Sequence, residues 1–125
     1  MGDLHNLNFI RYRRKSSEGD ERQVASLQDQ AEALNDIAHR LELSPAQVIS
    51  DVEEAKSAKE PGRPGFNREL LEPIQRGEAN AILCWHPDRL SRNAIDTAAL
   101  VNLLDLGRLK AIVTNQQVFW GTPMD

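Results

Sequence analysis

Apolar positions in this chain recur in two alternating periods, and that alternation sets the order of its elements. Leu7, Phe9 and Ile10 lie in a strand from Leu7 to Arg14 that ends at Ser16-Ser17. Beyond the polar stretch Glu18–Glu21, residues Leu27, Ala31, Leu34, Ala38 and Leu41 recur at steps of four and three. They predict one face of a helix reaching about Glu42, with Ser26 and Asp29 as its capping box. Ser44-Pro45 interrupts the period, and Val48–Val52 reads as a second, weaker strand. A breaker-rich loop, Pro61–Gly65, precedes Phe66, Leu70 and Ile74, spaced as a helix that Gly77 closes. Pro73 conflicts with that helix and predicts a kink or frayed end.

The run Ala79–Trp85 is nearly continuous apolar chain, the pattern of a strand covered on both faces of a parallel sheet. His86-Pro87 ends it. Asn93 and Asp96 form another cap pair, opening a helix whose apolar face is read as Ile95, Ala98, Ala99, Leu103 and Leu106, with its stop at Gly107. That face is assigned to packing on the sheet, with subunit contacts left to the helix's exposed side. Leu109–Thr114 is a fourth strand and Val118–Trp120 a candidate short fifth. Strands alternating with helices imply right-handed crossovers: an α/β three-layer sandwich around a mostly parallel central sheet. In such sheets ligands bind beyond the carboxyl ends of the strands. Tyr12–Ser16, Glu54 and Asp88–Arg92 each follow a strand, so the topology brings them to one edge.

Composition narrows the class. The 125 residues suffice for one domain with a single core, and no apolar run approaches a membrane span. With no signal-peptide pattern either, a cytoplasmic location is expected. The lone Cys84 excludes an internal disulfide, and Cys84-x-His86 without a partner pair reads as structural rather than metal-binding. A net charge of -4 argues against a wholly basic nucleic-acid coat. Yet of the 15 Lys and Arg, all but Arg40, Arg76, Arg108 and Lys110 fall in three clusters, which suits local anion handling.

The chemistry sits where the first strand ends. A serine beside guanidinium groups, with no histidine near it, suits attack on phosphorus better than on an acyl carbon. A phosphodiester gains negative charge in transit, and fork-shaped cationic donors answer that need.

The motifs Tyr12-x-Arg14-x-Ser16-Ser17, Ser26-Leu27-x-x-Gln30, Glu54-x-x-Ser57-Ala58, Gly62-Arg63-Pro64-Gly65-Phe66 and Asp88-Arg89-Leu90-Ser91-Arg92 occur in this order. Together they resemble the catalytic domain of serine site-specific recombinases (resolvases, invertases and phage-type integrases) over roughly residues 8–125. The resemblance implies that Ser16 attacks a DNA phosphodiester and becomes linked to the 5′ phosphate. It implies a guanidinium cage of Arg14, Arg63, Arg89 and Arg92, with Tyr12, Gln30 and Asp88 as positioning groups and Glu54 where the family often has Asp. The base that takes the Ser16 proton is left open between Asp88 and an arginine acting indirectly. The implied partners are double-stranded DNA and further copies of the chain, a homodimer assembling to a tetramer, with no cofactor, metal or membrane.

Pro87 before Asp88, Ala58 in place of Gly, and Arg13 and Lys15 around the serine motif depart from the family's habit, outside the reacting groups. Thr122-Pro123-Met124-Asp125 is a helix start at which the sequence stops. The expectation is therefore a catalytic domain, residues 1–125, cut before the family's long oligomerisation helix and DNA-binding region. Two other readings compete: a non-catalytic dimerisation or regulatory module on the same fold, and a nucleotide binder. The absence of a Gly-rich loop after the first strand weakens the second of these.

Overall fold

A computed structural model describes residues 3–14, 27–54 and 59–122. Ser16, Ser17, the capping residue Ser26 and the Lys56–Ala58 stretch lie outside the described residues, as does the end of the chain from Pro123. Five strands form one sheet: β1 (Phe9–Arg14), β2 (Val48–Glu54), β3 (Ala81–Leu83), β4 (Ala111–Val113) and β5 (Val118–Trp120). Their spatial order is β2-β1-β3-β4-β5. The first four are parallel, and β5 returns antiparallel to β4. This is the mostly parallel sheet with helices that the alternating periods predict, and the short fifth strand is present.

Each face of the sheet carries its own core, as the two-layer burial of a central sheet requires. On one face α1 (Leu27–Arg40) lays Leu34 and Ile37 over Phe9, Ala81, Leu83, Ala111 and Val113. On the other, Phe66, Leu70, Ile74, Leu100 and Leu103 cover Ile10, Tyr12, Val52, Ile82 and Ile112. β3 is buried along its whole length, which explains its unbroken apolar run.

Several boundaries differ from those the pattern predicts. α1 stops at Arg40 rather than Glu42, and Glu42 turns the chain with φ +59°. β2 is longer than expected and carries Glu54 as its last residue. The helix containing Pro73 changes its winding there. Gly65–Leu71 is wound as a π-helix, in which the Glu72 amide donates five residues back to Asn67, and α2 (Glu72–Gln75) continues it with Pro73 in its first turn. A proline lacks an amide proton, so the wide turn before it removes the need for one.

The larger correction concerns α4 (Ala94–Asp105). It buries Asp96, Leu100 and Leu103, whereas Ile95 is 68% exposed and Leu106 54% exposed. The helix is apolar nearly all round, so two registers of burial were open, and the one containing an aspartate prevails.

Candidate functional site

The order β2-β1-β3 makes the space between the carboxyl ends of β1 and β3 the switch point of the sheet, where chain leaves in opposite directions and a crevice opens. β1 ends there in Arg14. β3 is followed there by His86 and the short helix α3 (Pro87–Leu90). His86 caps α3, its Nδ1 accepting from the Asp88 amide at 3.1 Å. The two segments are joined directly: Arg14 Nε donates to the Arg89 carbonyl at 3.2 Å.

Arg14 is itself held from the other side. Gln30, fully buried in the first turn of α1, accepts from the Arg14 amide at 3.2 Å and donates to the Arg14 carbonyl at 2.8 Å. This two-point clamp fixes the last residue of β1, two positions before Ser16.

Beside it lies a buried polar network. Tyr12 donates to Glu54 Oε1 at 3.2 Å and accepts from Arg63 Nη1 at 2.9 Å. The same Glu54 oxygen accepts from the Phe66 amide at 2.8 Å, so the carboxylate sits on the first amide turn of the π-helix. Gly65 permits this, since a Cβ there would stand 2.7 Å from Glu54 Oε1. Burial raises the Tyr12 phenol well above its usual range, against the lowering pull of Arg63. Tyr12 therefore acts as a neutral hydrogen-bonding group.

Arg63 is wholly enclosed. Its Nη2 donates to the Leu90 carbonyl and to Asp96 Oδ2, the latter at 3.0 Å. Its guanidinium lies 4.4 Å from the Phe66 ring centre, a cation–π contact. Its Nε is buried with no partner among the described residues.

The predicted residues thus divide. Tyr12, Glu54 and Arg63 form one buried bonded group and Arg14 with Gln30 a second, and the main chain through Arg89 and Leu90 links the two by one carbonyl each. Arg89 is half-buried and Arg92 exposed, so among the described site residues these are the more accessible cations. Asp88 is not gathered in: its side chain is 67% exposed beside His86, with 3.7 Å between Oδ2 and Nδ1. Ser16 lies outside the described residues. Among the described residues of the first basic cluster, Arg11 and Arg13 pair with Asp51 and Glu53 of β2, while Arg14 is buried.

Asp96 is the functional candidate that sequence reading passed over. As the third residue of α4 it looks like an ordinary cap partner, and it is one, since its amide donates to Asn93 Oδ1 at 2.8 Å. Only the fold reveals that its carboxylate faces Arg63.

Cys84 is buried, its thiol pushed up to about 12 by desolvation. It is an inert core group. Among the described residues no cluster of three or more His, Cys, Asp or Glu side chains is placed to hold a metal ion, and no helix is long and apolar enough to cross a membrane.

Fold and site together define a parallel α/β domain that gathers arginines from three motifs at one carboxyl edge. The chain belongs to the resolvase family: residues 9–125 match its N-terminal domain. Solved structures agree in fold. The C-terminal catalytic domain of ISC1926 TnpA, an IS607-like serine recombinase, superposes with a TM-score of 0.67 at 19% identity, over 94% of this chain and 71% of that one. The N-terminal catalytic domain of TP901-1 integrase gives 0.67 at 23% identity, over 86% and 77%. A serine recombinase from Sulfolobus solfataricus gives 0.60 at 20%, over 88% and 71%. No match was found among curated proteins.

Proposed function

We propose that the chain is the catalytic domain of a site-specific DNA recombinase and that Ser16 is its nucleophile. The observation that carries this reading is the joining of the Arg14, Arg63 and Arg89 segments at the switch point, immediately before Ser16 in the chain. In the proposed reaction Ser16 Oγ attacks a backbone phosphorus and its proton passes to a base. The bond from phosphorus to the 3′ oxygen breaks, that oxygen takes up a proton, and the 5′ phosphate stays esterified to Ser16. Attack by the 3′ hydroxyl of an exchanged strand reverses each step. Phosphodiester energy is conserved in the serine ester, so no nucleotide triphosphate is consumed.

Arg89 and Arg92 are the cations an arriving phosphate meets, while Arg14 and Arg63 contribute charge from beneath. Guanidinium groups held this way stabilise the transition state without having to reorganise, and removing one such donor commonly costs about a hundredfold to a thousandfold in rate. The exposure of Asp88 weakens it as the base and favours the arginine-mediated alternative.

The test is covalent trapping. The chain in its full natural length is incubated with nicked duplex DNA spanning the ends of the element that encodes it, then run on a denaturing gel. A DNA adduct from the unaltered protein and none from Ser16→Ala is the expected result. An adduct that persists in Ser16→Ala, or no adduct from folded, DNA-bound protein, overturns the assignment.

A non-catalytic dimerisation module on the same fold finds support in one observation, the exposed apolar residues Ile95, Val101 and Leu106 of α4 and its end. The same gel separates the two readings.

A further inference from the structure

We propose that Asp96 is a positioning residue of the phosphate site, acting through Arg63. The inference rests on the recombinase reading above. Asp96 is the one carboxylate that pairs with Arg63 among the described residues, and the two side chains are 4% and 0% exposed. Its own position is doubly fixed: Asn93 Nδ2 donates to Asp96 Oδ2 at 2.9 Å, and the Asp96 amide donates to Asn93 Oδ1. Turning the carboxylate to solvent would break its bonds to both Asn93 Nδ2 and Arg63 Nη2.

That rigidity is passed to Arg63. Asp96 and the Leu90 carbonyl take Nη2, and Tyr12 takes Nη1. This leaves Nε as the one guanidinium nitrogen without a partner among the described residues. A planar guanidinium with two nitrogens tied has one orientation, so Asp96, with Tyr12 and the Leu90 carbonyl, sets where the Nε donor points. The Leu90 carbonyl on the same nitrogen extends the effect to α3. Leu90 is one residue from Arg89, whose carbonyl receives Arg14 Nε, and two from Arg92. The accessible cations are thus placed on a segment whose far side is tied to the Asp96–Arg63 pair.

An isosteric amide at this position keeps the shape and one acceptor but removes the charge. Asp96→Asn, Arg63→Ala and the double variant are compared with the unaltered protein for single-turnover adduct formation, DNA affinity and melting temperature. Asp96→Asn is expected to slow adduct formation about a hundredfold while DNA affinity stays within about twofold, the separation of chemistry from binding that a positioning role predicts. In the Arg63→Ala background the same change adds no further loss, because its route to the phosphate is gone.

An Asp96→Asn protein that cleaves at the original rate overturns the inference, as does a loss that adds in full to that of Arg63→Ala. If Asp96→Asn fails to fold, Asp96→Glu decides: it keeps the charge but displaces it by a methylene, so adduct formation slows, and an unchanged rate is fatal to the proposal. Absence of adduct from the unaltered protein removes the recombinase reading and this inference with it. Adduct from both the unaltered and Asp96→Asn proteins at equal rate removes this inference alone.

Discussion

Gln30 directs both halves of its amide to the main chain of a single residue, Arg14, as a neighbouring strand would. Its value lies in having a donor and an acceptor side by side, and a carboxylate offers only acceptors. Gln30→Glu therefore sets a second oxygen against the Arg14 carbonyl. We expect a loss of about 1–3 kcal/mol, the usual cost of a buried polar group left unsatisfied, measured by urea unfolding. Tyr12→Phe strips one acceptor from Arg63 and one donor from Glu54, and a stability loss of similar order, about 1–3 kcal/mol, is expected in the same measurement.

At this scale the sequence was most legible where a motif names residues together. The motifs name Tyr12, Arg14 and Arg63; the fold bonds Tyr12 to Arg63 and links Arg14 to them through the Arg89–Leu90 main chain. What Gln30 grips could not be read, because an amide in a helix's first turn has no visible partner in one dimension. Asp88 was named by its neighbours in the motif, and what the sequence could not give is its setting: as the second residue of α3 it is largely exposed beside His86.

Elements were legible wherever apolar spacing allowed one solution. The run around β3 could only be a doubly covered strand, and Asn93 with Asp96 marked the start of α4 correctly. The face of α4 was ambiguous because Ile95, Ala98, Val101 and Leu106 compete with Leu100 and Leu103. The ion pair at Asp96 turns that choice toward the register an apolar count disfavours.

The π-helix was not legible at all, since its wide turn answers to Pro73 on one side and to Glu54 on the other. Gly65 is the tightest point of this arrangement, with Glu54 Oε1 and Val52 Cγ1 at 2.7 and 3.0 Å from an added Cβ. Gly65→Ala is expected to destabilise the domain by about 1–3 kcal/mol through overpacking. A lowered urea midpoint with an unchanged slope would show this, and an unchanged midpoint would mean that Glu54 can move aside freely.

For the whole molecule, net charge misled less than its distribution informed. A domain of charge -4 keeps Arg11 and Arg13 occupied by acids of β2 while Arg14 and Arg63 are enclosed. Its burial of titratable groups also predicts a pH response. Cys84 is raised from 9.0 to about 12 in the folded chain, and Tyr12 is raised as well. A group held protonated by folding stabilises fully below its unfolded value and loses that contribution as pH climbs toward the folded one. Stability should therefore decline from about pH 9 upward, at about 1.4 kcal/mol per pH unit for the thiol alone. Cys84→Ala is expected to flatten this alkaline limb between pH 9 and 12, as read from urea midpoints across the range.

The Arg63–Asp96 pair has a last consequence, for selection rather than structure. Breaking a buried ion pair on one side is severe, about 3–5 kcal/mol, yet replacing both partners by apolar residues of similar volume is often neutral or stabilising by about 1–4 kcal/mol. A library varied at Arg63 and Asp96 together and screened only for survival of heating would enrich greasy pairs, and, on the recombinase function proposed above, with them proteins unable to cut DNA. Heat resistance and strand cleavage would pull this one contact in opposite directions, so a thermostabilised variant of the domain has to be chosen with both positions held fixed.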